Sequence, residues 1–450
     1  MRLRPTPAQF LQDCFLAGVE AVRPEHCLPP ALAAAGRPHG PCAVLAVGKA
    51  APGMARVIAE SLAASGALLL PALVVGVAAE GVGLVGDHPV PGPASARAAE
   101  SIADWVRDLP SEADVHIAIS GGASALIAAP LPGLTFEDLR EAFSFLLGSG
   151  LDVDAMNAVR KRLARWSAGR LARALAPRRT FVWLISDVPG DDPSTIGSGP
   201  CHGDPWTSAQ LRTLLERRAL WSDLSSAVRA AVEIETLKPD AAGLGEVRWD
   251  IVARNADALA ASAQFAARLG IKTHLVTQSL SGEASETGRT IARKLLQAPF
   301  GASTPNILCL PAPQPPELWL YGGETVVSLG DATTAGGRNQ ELALAAAEVL
   351  ATPGSGDTTV LLAAGTDGRD GATTEAGAIV DGSTWQRMTA RGRNPREDLV
   401  RHRSHDALVA ANAVIRTGHT GTNVMDVVLA LSDRWSFLYP PEERLFDRGN

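Results

Sequence analysis

The chain has 450 residues, 46% of them hydrophobic and 20% charged, with a formal net charge of −7. That length exceeds what one hydrophobic core serves, so two domains are expected, and the negative balance argues against a broad nucleic-acid surface. Cys14, Cys27, Cys42, Cys201 and Cys309 are odd in number and form no C-x-x-C pair, which fits reduced thiols better than a disulfide framework.

Gln9, Gln12 and Asp13 interrupt any apolar signal near the start of the chain. The longest apolar run, Ala67 to Ala79, contains Pro71 and falls short of the ~20 residues that span a bilayer. The expectation is a cytoplasmic protein without a membrane segment.

Ala43 to Val47 reads as a buried strand ending at Gly48-Lys49, and a helical run follows to Ala64. Leu73 to Val77 is a second strand. Asp87-His88-Pro89-Val90-Pro91 is a rigid polar loop whose histidine reads as structural. Val115 to Ile119 is a third strand, ending at Ser120-Gly121-Gly122. Asn157 to Leu175 reads as one long helix. Its cations Arg160, Lys161, Arg162, Arg165, Arg170 and Arg173 are expected on a solvated face opposite Val159, Leu163, Trp166, Leu171 and Leu175. One or two of them near the helix start could reach a substrate carboxylate.

Phe181 to Leu184 then reads as a strand leading into ISDVPGDDPSTIGSGP, Ile185 to Pro200. Strand, glycine turn and helix in repetition predict βαβ units, hence a Rossmann-like, doubly wound, mostly parallel sheet over residues 1–240. Residues 236–250 read as a linker. A second α/β domain is expected over 250–432, with a helix Asn255 to Leu269 and strands Lys272 to Val276, Leu318 to Tyr321 and Val360 to Ala363. A Pro-rich piece begins at Pro311, and residues 433–450 read as a tail.

Several strand-end loops carry chemistry. Ile185 to Pro200 holds three Asp, three Gly, three Pro and three Ser, more than a turn requires, at the strand end where open α/β sheets bind ligands. Ser120-Gly121-Gly122-Ala123-Ser124 reads as an anion cradle of inward amides before a helix, or as a tight βα turn. Lys49 among small residues has a short path to a phosphate, the alternative being a surface lysine. Gly336-Gly337-Arg338-Asn339 opens a helix with amides and a guanidinium suited to phosphate or carboxylate. Thr366-Asp367-Gly368-Arg369-Asp370 could hold Mg²⁺ or form an Asp-Gly turn. Zinc clusters and G-x-S-x-G are missing. Phosphoryl transfer is the chemistry that uses amide cradles, cations and Mg²⁺-holding acids together.

VGKAAPGMA, GDHPVPG, SGGASAL, ISDVPGDDPSTIGSGP, GGETVV, GGRNQELALAAA, GTDGRDGATTEAGAIVD and GHTGTNVMDVVLAL resemble, in order, the glycerate 2-kinase family, whose members were often labelled hydroxypyruvate reductases. The resemblance runs from about residue 8 to 431. It implies two α/β domains, the second called MOFRL, with the active site in the cleft between them. It further implies ATP- and Mg²⁺-dependent phosphorylation of D-glycerate at the 2-hydroxyl. The catalytic set it points to is Lys49, Asp187 and Arg338. ATP contacts are expected from Ser120, Gly121, Gly122, Ser124, Gly336, Gly337 and Asn339, and Mg²⁺ contacts from Asp187, Asp191 and Asp367. Partners are the small-molecule substrates, with a homodimer left open. The chain departs from the family pattern at Arg162 and Ala164, where His and Ser are usual, at Ser167, where Lys is, at Cys201, where Thr is, and at His419, where Pro is. A substrate-end cation and hydroxyl are therefore expected to be missing. Two rival readings are an NAD(P)H-dependent hydroxypyruvate reductase, opposed by the lack of G-x-G-x-x-G after any strand, and a non-catalytic sugar-acid or nucleotide-binding homologue.

Overall fold

A computed structural model describes residues 5–77, 83–277, 279–297, 316–328, 335–352 and 359–431. Cys309, most of the Pro-rich piece and the tail 433–450 lie outside the described residues. The chain divides into two compact units. One comprises Arg23–Arg254 with Gly421–Val424, and the other the described residues of Met1–Val22, Asn255–Thr420 and Met425–Asn450.

The first unit is built on six parallel strands, β1 (Cys42–Val47), β2 (Leu73–Gly76), β3 (Leu84–Val85), β4 (Asp114–Ile119), β5 (Thr180–Ile185) and β6 (Val247–Ala253). Their spatial order is β3-β2-β1-β4-β5-β6, the order of dinucleotide-type doubly wound folds, so the predicted Rossmann-like sheet is present. β1, β4 and β5 are buried at every position, as continuous apolar runs in a parallel sheet require. One face presents Ala43, Leu45, Val47, Val115, Ile117, Ile119, Val182 and Leu184 to a single core. On the other face His116, Phe181 and Trp183 stack, with His116 and Phe181 ring centroids 5.0 Å apart. The Trp183 indole donates to His116 Nδ1 at 3.2 Å, and burial pushes that imidazole down to about 4.

The second unit carries β7 (Lys272–Leu275), β8 (Glu317–Gly323), β9 (Val360–Gly365), β10 (Gly377–Asp381), β11 (Val414–Ile415) and β12 (Asp426–Leu431) in the order β11-β10-β9-β12-β8-β7. Among these strands β7 and β8 pair in parallel and the other neighbours antiparallel. Period-two alternation feeds two cores. Leu361, Ala363, Val428 and Ala430 face one, and Val360, Leu362, Ala364, Val427, Leu429 and Leu431 the other.

Four expectations are corrected. The N-terminal helix Pro7–Ala21 belongs to the second unit: Phe10, Leu11, Cys14 and Phe15 fill its core with Leu259, Ala263 and Ala266, and the Ser262 hydroxyl donates to Cys14 O at 2.8 Å. The presumed linker contains β6, paired in register with β5 from Thr180↔Val247 to Ile185↔Ala253. Its exposed Arg248, Trp249 and Asp250 disguise it as a connection, so the units divide at Arg254 rather than near residues 240–250.

The helix expected over Asn157 to Leu175 is two helices, Val153–Leu163 and Arg170–Leu175. Neighbouring segments capture the backbone between them: Arg165 N–H donates to Ala129 O, Ala168 N–H to Ser198 O and Gly169 N–H to Gly199 O. Gly169 adopts φ +76°, which a side chain would strain. Arg170 clamps the break, donating to the carbonyls of Lys161, Ala164 and Ser167. The cations do not all face solvent either. Lys161 and Arg162 are wholly buried and share the equally buried Asp204, at 3.1 and 2.7 Å. Arg162 also donates to Ala158 O and Trp206 O, and Thr236 donates to Asp204. Removing the shared anion strands two buried positive charges, so Asp204→Ala should destabilise the protein by ~3–5 kcal/mol in urea unfolding, far more than a surface pair would.

Candidate active site

In the first unit the crossovers reverse between β1 and β4, and the loops after these two strands are tied together. Lys49 N–H donates to Gly121 O at 2.9 Å, and Ser120 N–H to Val47 O. The Ser120 hydroxyl, fully buried, accepts from Ala50 N–H at 3.0 Å. Ser120 is thus a tie between the loops, holding half-buried Lys49 at the strand end.

The helix after Gly122 is short, Ala123–Leu126, and its amides at Ala123 and Ala125 already donate to Ser120 O and Gly122 O. The predicted helix-dipole contribution to an anion cradle is correspondingly small. Gly121 is required by close approach: a Cβ there would strike the carboxylate of Asp187 and the amide of Asn423. Asn423 donates to Asp187 Oδ2 at 3.1 Å. The His88 ring lies 3.1 Å from where a Gly122 Cβ would stand. Ser124 hydrogen bonds Ser198 at 2.7 Å, and Ser198 donates to Asn157 Oδ1. Lys49, Gly121, Gly122, Ser124 and Asp187 are thus joined in one unit, with Asn423, His88 and Asn157 added to the predicted set.

The acids of the 185–200 loop differ in state. Asp192 caps its own turn, accepting from Ser194 N–H and hydroxyl. Asp191 sits at φ +54°, its Oδ2 3.8 Å from Arg254, and its Oδ1 is withdrawn from solvent with no hydrogen-bond partner.

In the second unit Arg338 begins the helix Arg338–Leu350. Its guanidinium donates bidentately to Asp426 and at 2.6 Å to Glu324. Burial works against its charge, but Asp426 and Glu324 outweigh this and hold it above the ordinary arginine range. The helix N-terminus is occupied from within. Asp370 accepts from Asn339 N–H at 3.0 Å and Gln340 N–H at 2.8 Å, and from the Asn339 side chain. Asn339 therefore spends its donors on Asp370, and Gly337 is the close-approach position beside that carboxylate. Asp367 accepts from Arg369 N–H at 3.0 Å, the geometry of an Asp-Gly turn. Among the described residues no three His, Cys, Asp or Glu side chains group to hold a metal ion.

Sequence reasoning passed over Asp204, Asn423, Asp426 and Glu324. The last three lie inside quoted motifs, GHTGTNVMDVVLAL and GGETVV, where they were not singled out. Asp204 was passed over because its cationic partners, Lys161 and Arg162, stand some forty residues earlier in the chain.

Two family patterns match the chain: a domain of unknown function, DUF4147, over residues 10–233, and the MOFRL family over 317–426. A glycerate 2-kinase of Pyrococcus horikoshii is 33% identical, with 86% of each chain covered. A protein of Agrobacterium vitis, provisionally named a hydroxypyruvate reductase, is 37% identical with 87% of each covered. The crystal structure of a glycerate kinase from Thermotoga maritima is 31% identical, with a TM-score of 0.77, covering 94% of this chain and 99% of its own. No helix of the described residues is long and apolar enough to cross a membrane.

Asp370 titrates differently folded and unfolded: burial raises it to about 6 from 3.8, against the lowering effect of the Gln340 and Asn339 amides. Its protonated form is favoured by folding, so its contribution is full below the unfolded value and lost as pH rises through about 6. Urea unfolding of the parent and Asp370→Asn between pH 4 and 7 should show the parent gaining ~2–3 kcal/mol relative to the variant as pH falls. A flat difference would place Asp370 in solvent.

Proposed function

The chain belongs to the glycerate 2-kinase family, and we propose that it phosphorylates D-glycerate at the 2-hydroxyl with ATP, giving 2-phospho-D-glycerate and ADP. The observation that carries this reading is the tied pair of loops at the β1–β4 reversal, with Lys49 at one strand end and Asp187 against Gly121 at the other. The sequence after β1, Gly48-Lys49-Ala50-Ala51-Pro52-Gly53, is not a dinucleotide fingerprint, which disfavours the reductase reading.

In this mechanism the 2-hydroxyl oxygen attacks the γ-phosphorus, the bond to the β–γ bridging oxygen breaks, and the hydroxyl proton passes to the Asp187 carboxylate. Asn423 orients that carboxylate by donating to Oδ2 at 3.1 Å. Lys49 offsets charge on the transferring group, and Gly121 and Gly122 let phosphate oxygens approach the backbone. Arg338, fixed by Asp426 and Glu324, is the second cation of the set. Mg²⁺ fits the donor set: Asp187 and Asp191, whose Oδ1 has no hydrogen-bond partner, stand in one loop, and the ion takes one or two carboxylates and fills its shell with phosphate oxygens and water. When bound, it neutralises phosphate charge. Asp191 and Asp187 would hold it, and Asp367, engaged in its own turn, is the weaker candidate.

Incubation with D-glycerate and γ-labelled ATP should place label on the 2-oxygen, whereas hydroxypyruvate with NADH should give no oxidation. Lys49→Ala and Arg338→Ala should lower kcat by ~10³-fold while each protein still melts cooperatively. Asp187→Asn should lower kcat by ~10²–10⁴-fold with little change in ATP affinity. Turnover within a few-fold of the parent would make Asp187 structural. Excess EDTA should abolish turnover and added Mg²⁺ restore it; equal rates in both would remove the metal from the mechanism.

A further inference from the structure

Three successive cations, Arg160, Lys161 and Arg162, end the helix Val153–Leu163. Lys161 and Arg162 share the carboxylate of Asp204. Arg160 does not. Among the described residues no carboxylate pairs with it, and the hydrogen bond of its guanidinium is a long one, 3.4 Å from NH1 to the neutral Asn157 Oδ1. The guanidinium lies 4.9 Å above the Phe143 ring, and its Nε is withdrawn from solvent without an acceptor. Burial alone pushes it down to about 10, still protonated at neutral pH. A desolvated cation without a counter-charge is costly, and an anion supplied by a ligand would remove that cost.

The surroundings point to a substrate anion. Asn157 Oδ1, the acceptor for Arg160, also accepts from Ser198, and Ser198 bonds Ser124 of the glycine loop. Asn157 Nδ2 donates to Thr195 O in the loop that begins with Asp187. Arg160 is therefore two side chains from the loop assigned to phosphate, and it is only partly buried, so one edge is open. Its planar fork matches a planar carboxylate bidentately, and a single cation backed by a phenyl ring suits a small, singly charged anion.

We propose that Arg160 recognises the carboxylate of the hydroxy-acid substrate and so sets specificity for acids over neutral polyols; this rests on the kinase reading above. It would supply a substrate-end cation where Ser167 stands in place of the usual Lys.

The test is steady-state kinetics of the parent, Arg160→Gln and Arg160→Lys, with D-glycerate and ATP varied separately, together with melting of each protein without ligand. Arg160→Gln should raise KM for D-glycerate on the order of 10²-fold, leave KM for ATP within about twofold, and Arg160→Lys should recover part of the loss. Its ligand-free melting temperature should equal or exceed the parent's, because an uncompensated charge has been removed. An unchanged KM for D-glycerate, a rise confined to ATP, or a lower melting temperature with both constants raised would each overturn the assignment. Should the parent not phosphorylate D-glycerate, the kinase reading fails and the melting assay decides for Arg160. Stabilisation by D-glycerate in the parent but not in Arg160→Gln would support it; equal shifts, or none, would overturn it.

Discussion

The pairing of β1 with β4 is the constraint on which the first unit depends. Six aligned positions, from Cys42↔Asp114 to Val47↔Ile119, are buried on both strands. A slip of one residue would exchange the two faces of each strand between two different environments, so the register is strongly specified. That register fixes the height at which the strands end, and with it the positions of Gly48-Lys49 and Ser120-Gly121. Because the crossovers leave in opposite directions there, the chain opens a crevice without any side chain having to hold it open. The hydrogen bonds Lys49 N–H to Gly121 O and Ala50 N–H to Ser120 Oγ then fix the rims.

The second unit meets the same electrostatic demands by other means. Its helix Arg338–Leu350 starts with glycines, as anion-binding helices do, yet the exposed amides are taken by Asp370 of the same unit. The carboxylate stabilises the positive helix end and is itself partly desolvated, which is why it titrates near 6. Arg338 is likewise supplied with its own anions. The result is a cation whose charge is secured and whose orientation is set by two carboxylates before any ligand arrives, the preorganisation that charge stabilisation requires.

Strands and strand-end loops were legible because continuous apolar runs such as Ala43 to Val47 leave few alternatives, and because glycine and aspartate concentrate where they stop. What periodicity could not supply was the destination of a face. The stripe of Phe10, Leu11, Cys14 and Phe15 looks the same whichever core it fills, and only contact with Leu259 and Ala263 assigns it to the second unit. β6 was missed because an edge strand keeps polar residues such as Arg248 and Asp250 on its open side. The basic stretch at Arg160 was misread for a related reason. A cation on a helix is solvated by default, and the buried anion that reverses this, Asp204, is placed by tertiary structure.

That reversal explains how one short stretch can serve both folding and recognition. Asp204 receives two cations and donors from Thr236 and the Trp206 backbone, so its low-dielectric site is fully satisfied on the acid side. The surplus positive charge remains on the cation side, and it lies in the last helical turn, where the negative end of the helix dipole makes it easier to keep. Arg160 occupies the edge of that surplus, against Phe143 and next to Asn157, which is itself tied to both the 185–200 loop and the glycine loop. A desolvated cation without a counter-charge is costly to the fold. The guanidinium is therefore best accounted for by what it can do for an anion that comes and goes.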